Sequence, residues 1–265
     1  MRRRTKFLVV SNMRSGSTWL ATTLGALPDV VTDYEIKWKI NYEPHKIHYV
    51  LSEDSPTVSN LLDSLDANMP LVGSKFVFDP VELSKSDYVN LRNKFSRDLR
   101  IIHIVRRYRD IFLSSRRGFY HQLNEASPRR VSEHLMASFA GSSPGQVIKP
   151  AEPAHISPVA CYEELKIYLD GDVWGARLRE EGFSYLLVSY EHLGEHIPEI
   201  AKFIGSSATP ETVADLVERP VTLKLPEVPA TEVIANITEL DPLFEQFERL
   251  RACLLGGDIS REYGS

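Results

Sequence analysis

The sequence predicts an α/β fold, with a central parallel sheet flanked by helices. Three observations carry this prediction. Short apolar runs alternate along the chain with longer segments of helical spacing. The runs Phe7 to Val10 and Leu99 to Val105 are almost continuously apolar, the pattern of strands covered on both faces. A length of 265 residues with 43% hydrophobic content, and without a long low-complexity linker, suits one sizeable core, so residues 1–265 are expected to form a single domain.

Each element follows in order. Phe7-Leu8-Val9-Val10 reads as the first strand, Arg14 to Thr18 as a tight loop, and Trp19 to Leu24 as the start of a helix. A strand is expected near Leu71 to Phe78 and a helix at about 83–97. Leu99 to Val105 is a second buried strand, followed by Arg106 to Asp110 and a helix at about 110–123. Further helices are expected at 129–140, 160–181 and 193–204, with Phe183 to Ser189 as another strand. Ser138 to Pro158 is rich in Ser, Gly and Pro and reads as a surface loop, either a plain connection or a lid over a pocket.

Composition narrows the classes. No apolar run is long enough for a membrane span, and the run after Arg2, Arg3 and Arg4 is too short for a signal peptide, so a cytoplasmic protein is expected. Cys161 and Cys253 make neither a disulfide framework nor a metal cluster and read as buried free thiols. A net charge of −5 argues against a general nucleic-acid binder. Against that background Arg106, Arg107, Arg109, Arg116 and Arg117 form a local basic cluster suited to a small anion, although a solvated helix face explains Arg107, Arg109 and Arg117 as well.

The loop after the first strand has phosphate-binding chemistry. A strand, tight loop and helix aim successive backbone N–H groups and the positive end of the helix dipole at one point. Gly16 permits close approach, Ser15, Ser17 and Thr18 add hydroxyl donors, and Arg14 adds a fixed charge with a fork of donors. Relative to the nucleotide-binding pattern G-x-x-x-x-G-K-[ST], Thr18 keeps its place, but Ser11 replaces the first glycine and Ser17 the lysine. A P-loop-like nucleotide kinase or hydrolase is thereby weakened, and no strand ending in a magnesium-binding Asp stands out. An ordinary N-capped helix start is the plain structural alternative.

The two basic segments together resemble the paired signatures of the sulfotransferases that use 3′-phosphoadenosine-5′-phosphosulfate (PAPS), particularly the carbohydrate-type and bacterial members. Arg14-Ser15-Gly16-Ser17-Thr18-Trp19 is similar to the family loop [K/R]-x-G-[S/T]-[S/T] with its following Trp, and Arg106, Asp110 and Ser114 fall on the family pattern R-x-x-x-D-x-x-x-S. Tyr190-Glu191-His192-Leu193 resembles a strand-ending Y-E-D-L. The likeness spans about residues 6–205; the C-terminal R-K-G of cytosolic members has no equivalent, isolated candidates such as Lys224 aside.

The resemblance implies a P-loop-NTPase-like sulfotransferase fold that moves a sulfuryl group from PAPS to an acceptor hydroxyl on a sugar, glycolipid or natural product, without a metal. It implies that Arg14, Ser15, Gly16, Ser17 and Thr18 hold the 5′-phosphosulfate, that Trp19 stacks on adenine, and that Arg106 and Ser114 bind the 3′-phosphate. The His base of the steroid and phenol enzymes has no counterpart at Ser74-Lys75-Phe76. Carbohydrate-type members use a Glu after the first helix, which makes Glu35 the candidate base, acting while ionised beside cationic groups, unless it is a solvated loop carboxylate. Lys75 is a candidate for the sulfuryl group or an ordinary surface lysine. Lys37, Trp38, Lys39, Tyr42, His45 and His48 are candidates for an acceptor pocket. His103 reads as a core histidine and Asp110 as an organiser of arginines. A regulatory protein that binds the nucleotide without turnover is the non-enzymatic alternative.

Overall fold

The computed structural model describes residues 4–38, 48–51, 54–65, 68–78, 89–90, 92–117, 122–123, 150, 152–223 and 228–256. Six strands build one parallel sheet: β1 (Thr5–Asn12), β2 (Val30–Trp38), β3 (His48–Leu51), β4 (Leu71–Phe78), β5 (Leu99–Val105) and β7 (Ser184–Ser189), in the order β3-β2-β4-β1-β5-β7. A two-residue strand β6 (Gln122–Leu123) pairs antiparallel with β8 (Thr222–Leu223). The helices are α1 (Ser17–Gly25), α2 (Val58–Asp63), α3 (Tyr108–Arg116), α4 (Pro158–Glu180), α5 (Ile197–Ile204), α6 (Pro210–Glu218) and α7 (Ile237–Leu255).

The apolar runs become central strands because both of their faces are covered. Leu8 and Val10 of β1 pack with Ile36, Phe76, Phe78 and Ile101 beneath Trp174 and Leu178 of α4. Phe7 and Val9 point the other way, into a cluster with Leu20 and Leu24 of α1 and Ile197 and Ile200 of α5. All four are fully buried, and burial of each such side chain contributes about 1.5–3 kcal/mol. A third cluster joins α3, α4 and α7 through Phe112, Leu165, Tyr168, Leu240, Phe244 and Phe247.

Helix α4 is set by its ends and by one face. Ser157 accepts from the Ala160 amide as N-cap, and Pro158 supplies a preset φ at the first turn. Gly171 and Gly175, one turn apart, bring this helix against the sheet; a Cβ on either would collide with Asn12 or His103.

Several expected boundaries move. The helix expected at 110–123 runs from Tyr108 to Arg116, and Gln122–Leu123 is extended. The helix expected from 193 starts at Ile197, after a turn over 191–196. The loop expected to end at Pro158 ends one residue earlier, because Pro158 opens α4. Cys161 is buried as expected but Cys253 is exposed on the outer face of α7. The helix at 83–97 is helical over 89–90 and 92–93, its first part lying outside the described residues, as do the helix at 129–140 and most of the loop at 138–158. No helix among the described residues is long and apolar enough to cross a membrane.

This topology selects one edge of the sheet. From the C-terminal end of β1 the chain turns toward β2 on one side, and from β5 it turns toward β7 on the other. Adjacent parallel strands whose connections diverge leave a crevice at their carboxyl ends, where ligands of open α/β sheets bind.

Candidate active site

The loop at the end of β1 lies on one side of that crevice. Arg14 has φ +64° and Gly16, the N-cap of α1, has φ +83°. Two left-handed residues within three positions fold the backbone tightly before the helix begins. A Cβ at Gly16 would come 2.5 Å from the ring of Tyr190, so the close approach also excludes a side chain. Ser15 is fully buried, and its hydroxyl has no hydrogen-bond partner among the described residues. Thr18, in the first turn of α1, accepts from Lys75 Nζ at 2.8 Å.

Lys75 and Glu35 meet through the sheet. Both side chains are largely buried, and Lys75 Nζ lies 2.5 Å from Glu35 Oε2. A bulge in β2 between Thr32 and Glu35 inserts one residue relative to β4, so that Glu35 rather than Tyr34 is paired with Lys75. Because strand side chains alternate, that extra residue changes which face the following side chains occupy. Glu35 is therefore a largely buried strand residue, unlike the solvated loop carboxylate of the alternative reading.

The second basic segment lies on the other side of the crevice. Arg106 follows β5, donates Nη1 to the Arg14 carbonyl at 2.6 Å, and stacks on the Tyr190 ring at 4.1 Å. Its Nε is buried with no hydrogen-bond partner among the described residues. Arg14 reaches back, donating Nε and Nη2 to the Ser114 carbonyl at 3.1 and 2.8 Å. Burial, then the neighbouring Arg106 and Arg117, lower the Arg14 pKa to about 10. Three partly buried cations thus lie close together, an arrangement with the chemistry to take an anion.

Supporting contacts hold this segment in place. Arg107 is the N-cap of α3; its amide donates to Glu191 Oε1 at 3.1 Å, and Ser189 donates to Glu191 Oε2 at 2.6 Å. Burial pushes the Glu191 carboxyl up, but these hydrogen bonds and the Arg107 charge outweigh it and leave the pKa below its usual value. Arg107 also pairs with Asp110 at 2.8 Å, one of the arginines Asp110 was expected to organise. Arg109 pairs with Asp241.

Behind the crevice lies a buried polar network that the sequence reading missed apart from His103. Asp172 of α4 accepts from Asn12 Nδ2 and from the Tyr108 hydroxyl, each at 2.8 Å, and lies 3.5 Å from His103 Nε2. The other ring nitrogen of His103 is 2.6 Å from the Tyr185 hydroxyl. Arg251 of α7 is buried, stacks on Tyr108 and donates to the Arg106 carbonyl. The available signal was the 3–4 spacing of Ile237, Leu240, Phe244 and Phe247, which Pro242 interrupts without ending the helix.

Thus Arg14, Ser15, Gly16, Thr18, Lys75 and Glu35 form one connected group, joined to Arg106 and Ser114 through Arg14. Ser17 is buried at the start of α1, and Trp19 is half-buried against the cluster that holds Leu20 and Tyr190. The side chains of Lys37, Trp38 and His48, and residues Lys39, Tyr42, His45 and Lys224, lie outside the described residues. Among the described residues no group of three or more His, Cys, Asp or Glu could hold a metal ion.

A family model for the sulfotransferase domain matches residues 4–256. Comparison with curated proteins gives no significant sequence match. Among solved structures, the chain is similar to a sulfotransferase from Alicyclobacillus acidocaldarius at 14% identity and TM-score 0.47, covering 98% of this chain and 99% of that one. It is similar to mouse sulfotransferase SULT7A1 complexed with PAP at 14% identity and TM-score 0.48, covering 98% and 87%. A retinol dehydratase in complex with retinol and PAP aligns at 12% identity and TM-score 0.44, covering 95% and 82%.

Proposed function

We propose that this chain, which belongs to the sulfotransferase family, transfers the sulfuryl group of PAPS to the hydroxyl of a small-molecule or glycan acceptor, with Glu35 as the base. The observation that carries the reading is the connected group at the crevice: a left-handed loop, Lys75 on Thr18, and Glu35 on Lys75, facing two arginines that share the Arg14 backbone.

The residues present fit the nucleotide. The buried unpartnered Ser15 hydroxyl and Arg106 Nε are donors suited to phosphate oxygens, and the Gly16 backbone approaches too closely for any side chain. Arg14, Ser15, Gly16, Ser17 and Thr18 would hold its 5′-phosphosulfate, Arg106 and Ser114 its 3′-phosphate, and Trp19 its adenine. When bound, the nucleotide supplies an activated sulfuryl group on a phosphate leaving group.

The chain's own residues do the rest. The amides at the start of α1 and the Arg14 guanidinium present fixed positive charge where anionic charge develops, at no cost of reorganisation. Lys75 Nζ spans Thr18 Oγ1 and Glu35 Oε2, so one ammonium aligns the loop with the carboxylate. Glu35 accepts the acceptor's hydroxyl proton at a carboxylate oxygen, a contribution worth about 10²–10⁴ in rate. Lys75 pairs with that carboxylate and fixes its position. In-line transfer of this kind demands positioning and charge more than covalent work.

The test is turnover with radiolabelled PAPS against a panel of sugars, glycolipids and phenolic natural products, using the wild type and Glu35→Gln. Lost transfer with retained binding of adenosine 3′,5′-bisphosphate supports Glu35 as the base. Unchanged transfer removes Glu35 from that role, and absence of transfer by the wild type across the panel favours a regulatory nucleotide-binding protein.

A further inference from the structure

The C-terminal helix α7 reaches the turn between β5 and α3, which carries Arg106, from behind. Arg251 is 1% exposed, an unusual position for an arginine on an amphipathic helix. Its Nη1 donates to the Arg106 carbonyl at 2.6 Å, and its guanidinium stacks on the Tyr108 ring at 4.5 Å. It pairs with Glu248 one turn earlier and lies 3.7 Å from Asp172 Oδ2. Glu248 Oε1 in turn accepts from the Tyr108 amide at 2.6 Å. Two residues of α7 therefore grip the backbone at 106 and 108, on both sides of the turn that carries Arg106 from β5 into α3.

From this geometry we infer that Arg251 and Glu248 are positioning residues for the 3′-phosphate grip, a clamp in which the C-terminal helix fixes the Arg106 backbone without touching the nucleotide. The inference rests on the assignment of Arg106 to the 3′-phosphate. The Glu191 carboxylate at the Arg107 amide is a further hold on the same turn. A guanidinium whose main chain shifts by a fraction of an ångström loses the geometry of charge-assisted hydrogen bonds, which weaken steeply away from linearity. The 5′ loop has an anchor of its own, because Asn12 at its start donates to Asp172 and Tyr108 also donates there. The clamp reaches the loop through the Arg106 to Arg14 bond. Loss of the clamp is thus expected to fall mainly on nucleotides with a 3′-phosphate.

The experiment is calorimetric titration of wild type, Arg251→Met, Arg251→Lys and Glu248→Ala with adenosine 3′,5′-bisphosphate and with 5′-AMP, with circular dichroism of each variant. The expected result is a loss of bisphosphate affinity of about tenfold or more in Arg251→Met and a smaller loss in Glu248→Ala, with AMP affinity changed less than about twofold. Lysine at 251, which keeps one donor for the Arg106 carbonyl, is expected to restore part of the difference. Should Arg251→Met fail to fold, Glu248→Ala carries the test, because that side chain is partly exposed at 27%. Equal weakening toward both nucleotides, or none toward either, in folded variants overturns the clamp while a selective wild type leaves the Arg106 assignment standing. A wild type that binds both nucleotides equally overturns that assignment and the clamp with it.

Discussion

Replacing Arg106 with alanine separates the two ends of the nucleotide. In the structure this guanidinium spends one donor on the Arg14 carbonyl at 2.6 Å and keeps Nε buried without a partner among the described residues. Loss of the bond to Arg14 loosens the 5′ loop by about 1 kcal/mol for every nucleotide. Loss of the charge-assisted bonds to a 3′-phosphate, each worth about 1.5–3 kcal/mol, falls on the bisphosphate alone. Taking about 3 kcal/mol for that part, because Arg106 is only half-buried, the bisphosphate loses about 4 kcal/mol, close to a thousandfold, and 5′-AMP about fivefold. Calorimetric titration of Arg106→Ala with both nucleotides reads the ratio directly. Equal weakening of the two would refute the reasoning, since it would leave Arg106 as a support for the loop and nothing more.

Other perturbations give independent readings. Glu35→Gln is expected to lower turnover by about 10²–10⁴ while bisphosphate affinity changes by less than about twofold; a parallel loss of both would assign Glu35 to the fold. Lys75→Ala removes the ammonium that joins Thr18 to Glu35, so turnover is expected to fall by about 10²-fold with the fold kept; turnover equal to wild type contradicts the pairing. Gly16→Ala imposes a left-handed backbone and a Cβ 2.5 Å from Tyr190, with an expected cost of about 1–3 kcal/mol and a thermal midpoint lower by several degrees, together with lost nucleotide binding; a variant as stable as wild type would contradict the geometry. The Glu191 pKa is held below its unfolded value, so its contribution to stability is present above the unfolded pKa and is lost as pH falls through the folded one. Glu191→Gln should therefore flatten the fall of the thermal midpoint below about pH 4.5, and an unchanged acid slope would rule that out.

The parts of the fold that were legible are those where local pattern and burial agree. Phe7 to Val10 and Leu99 to Val105 are apolar on both faces because helices cover both faces, and such runs permit few other conformations. The helix expected at 160–181 was legible in its body, whereas its start, with Ser157 as cap and Pro158 in the first turn, was read as loop because Ser and Pro also mark loops. β2 was not legible, because its bulge after Thr32 breaks the alternation on which strand reading depends. Helix α7 was missed since its charged residues and Pro242 dilute a 3–4 apolar spacing. In the site, Arg14, Gly16 and Arg106 were visible as residue types with special chemistry in a special context. The Glu35 and Lys75 pair needed the register of two strands 40 residues apart in sequence, and Arg251 looks in sequence like any surface arginine.

The measurement that tests the central claim most directly is calorimetric titration of the wild-type chain with adenosine 3′,5′-bisphosphate in the presence of EDTA, and separately with ATP and magnesium. The account predicts saturable one-to-one binding of the bisphosphate without metal, at least about tenfold tighter than ATP with magnesium. Preference for ATP with magnesium, or absence of bisphosphate binding, would contradict it, and Arg14 and Arg106 would then surround a different site.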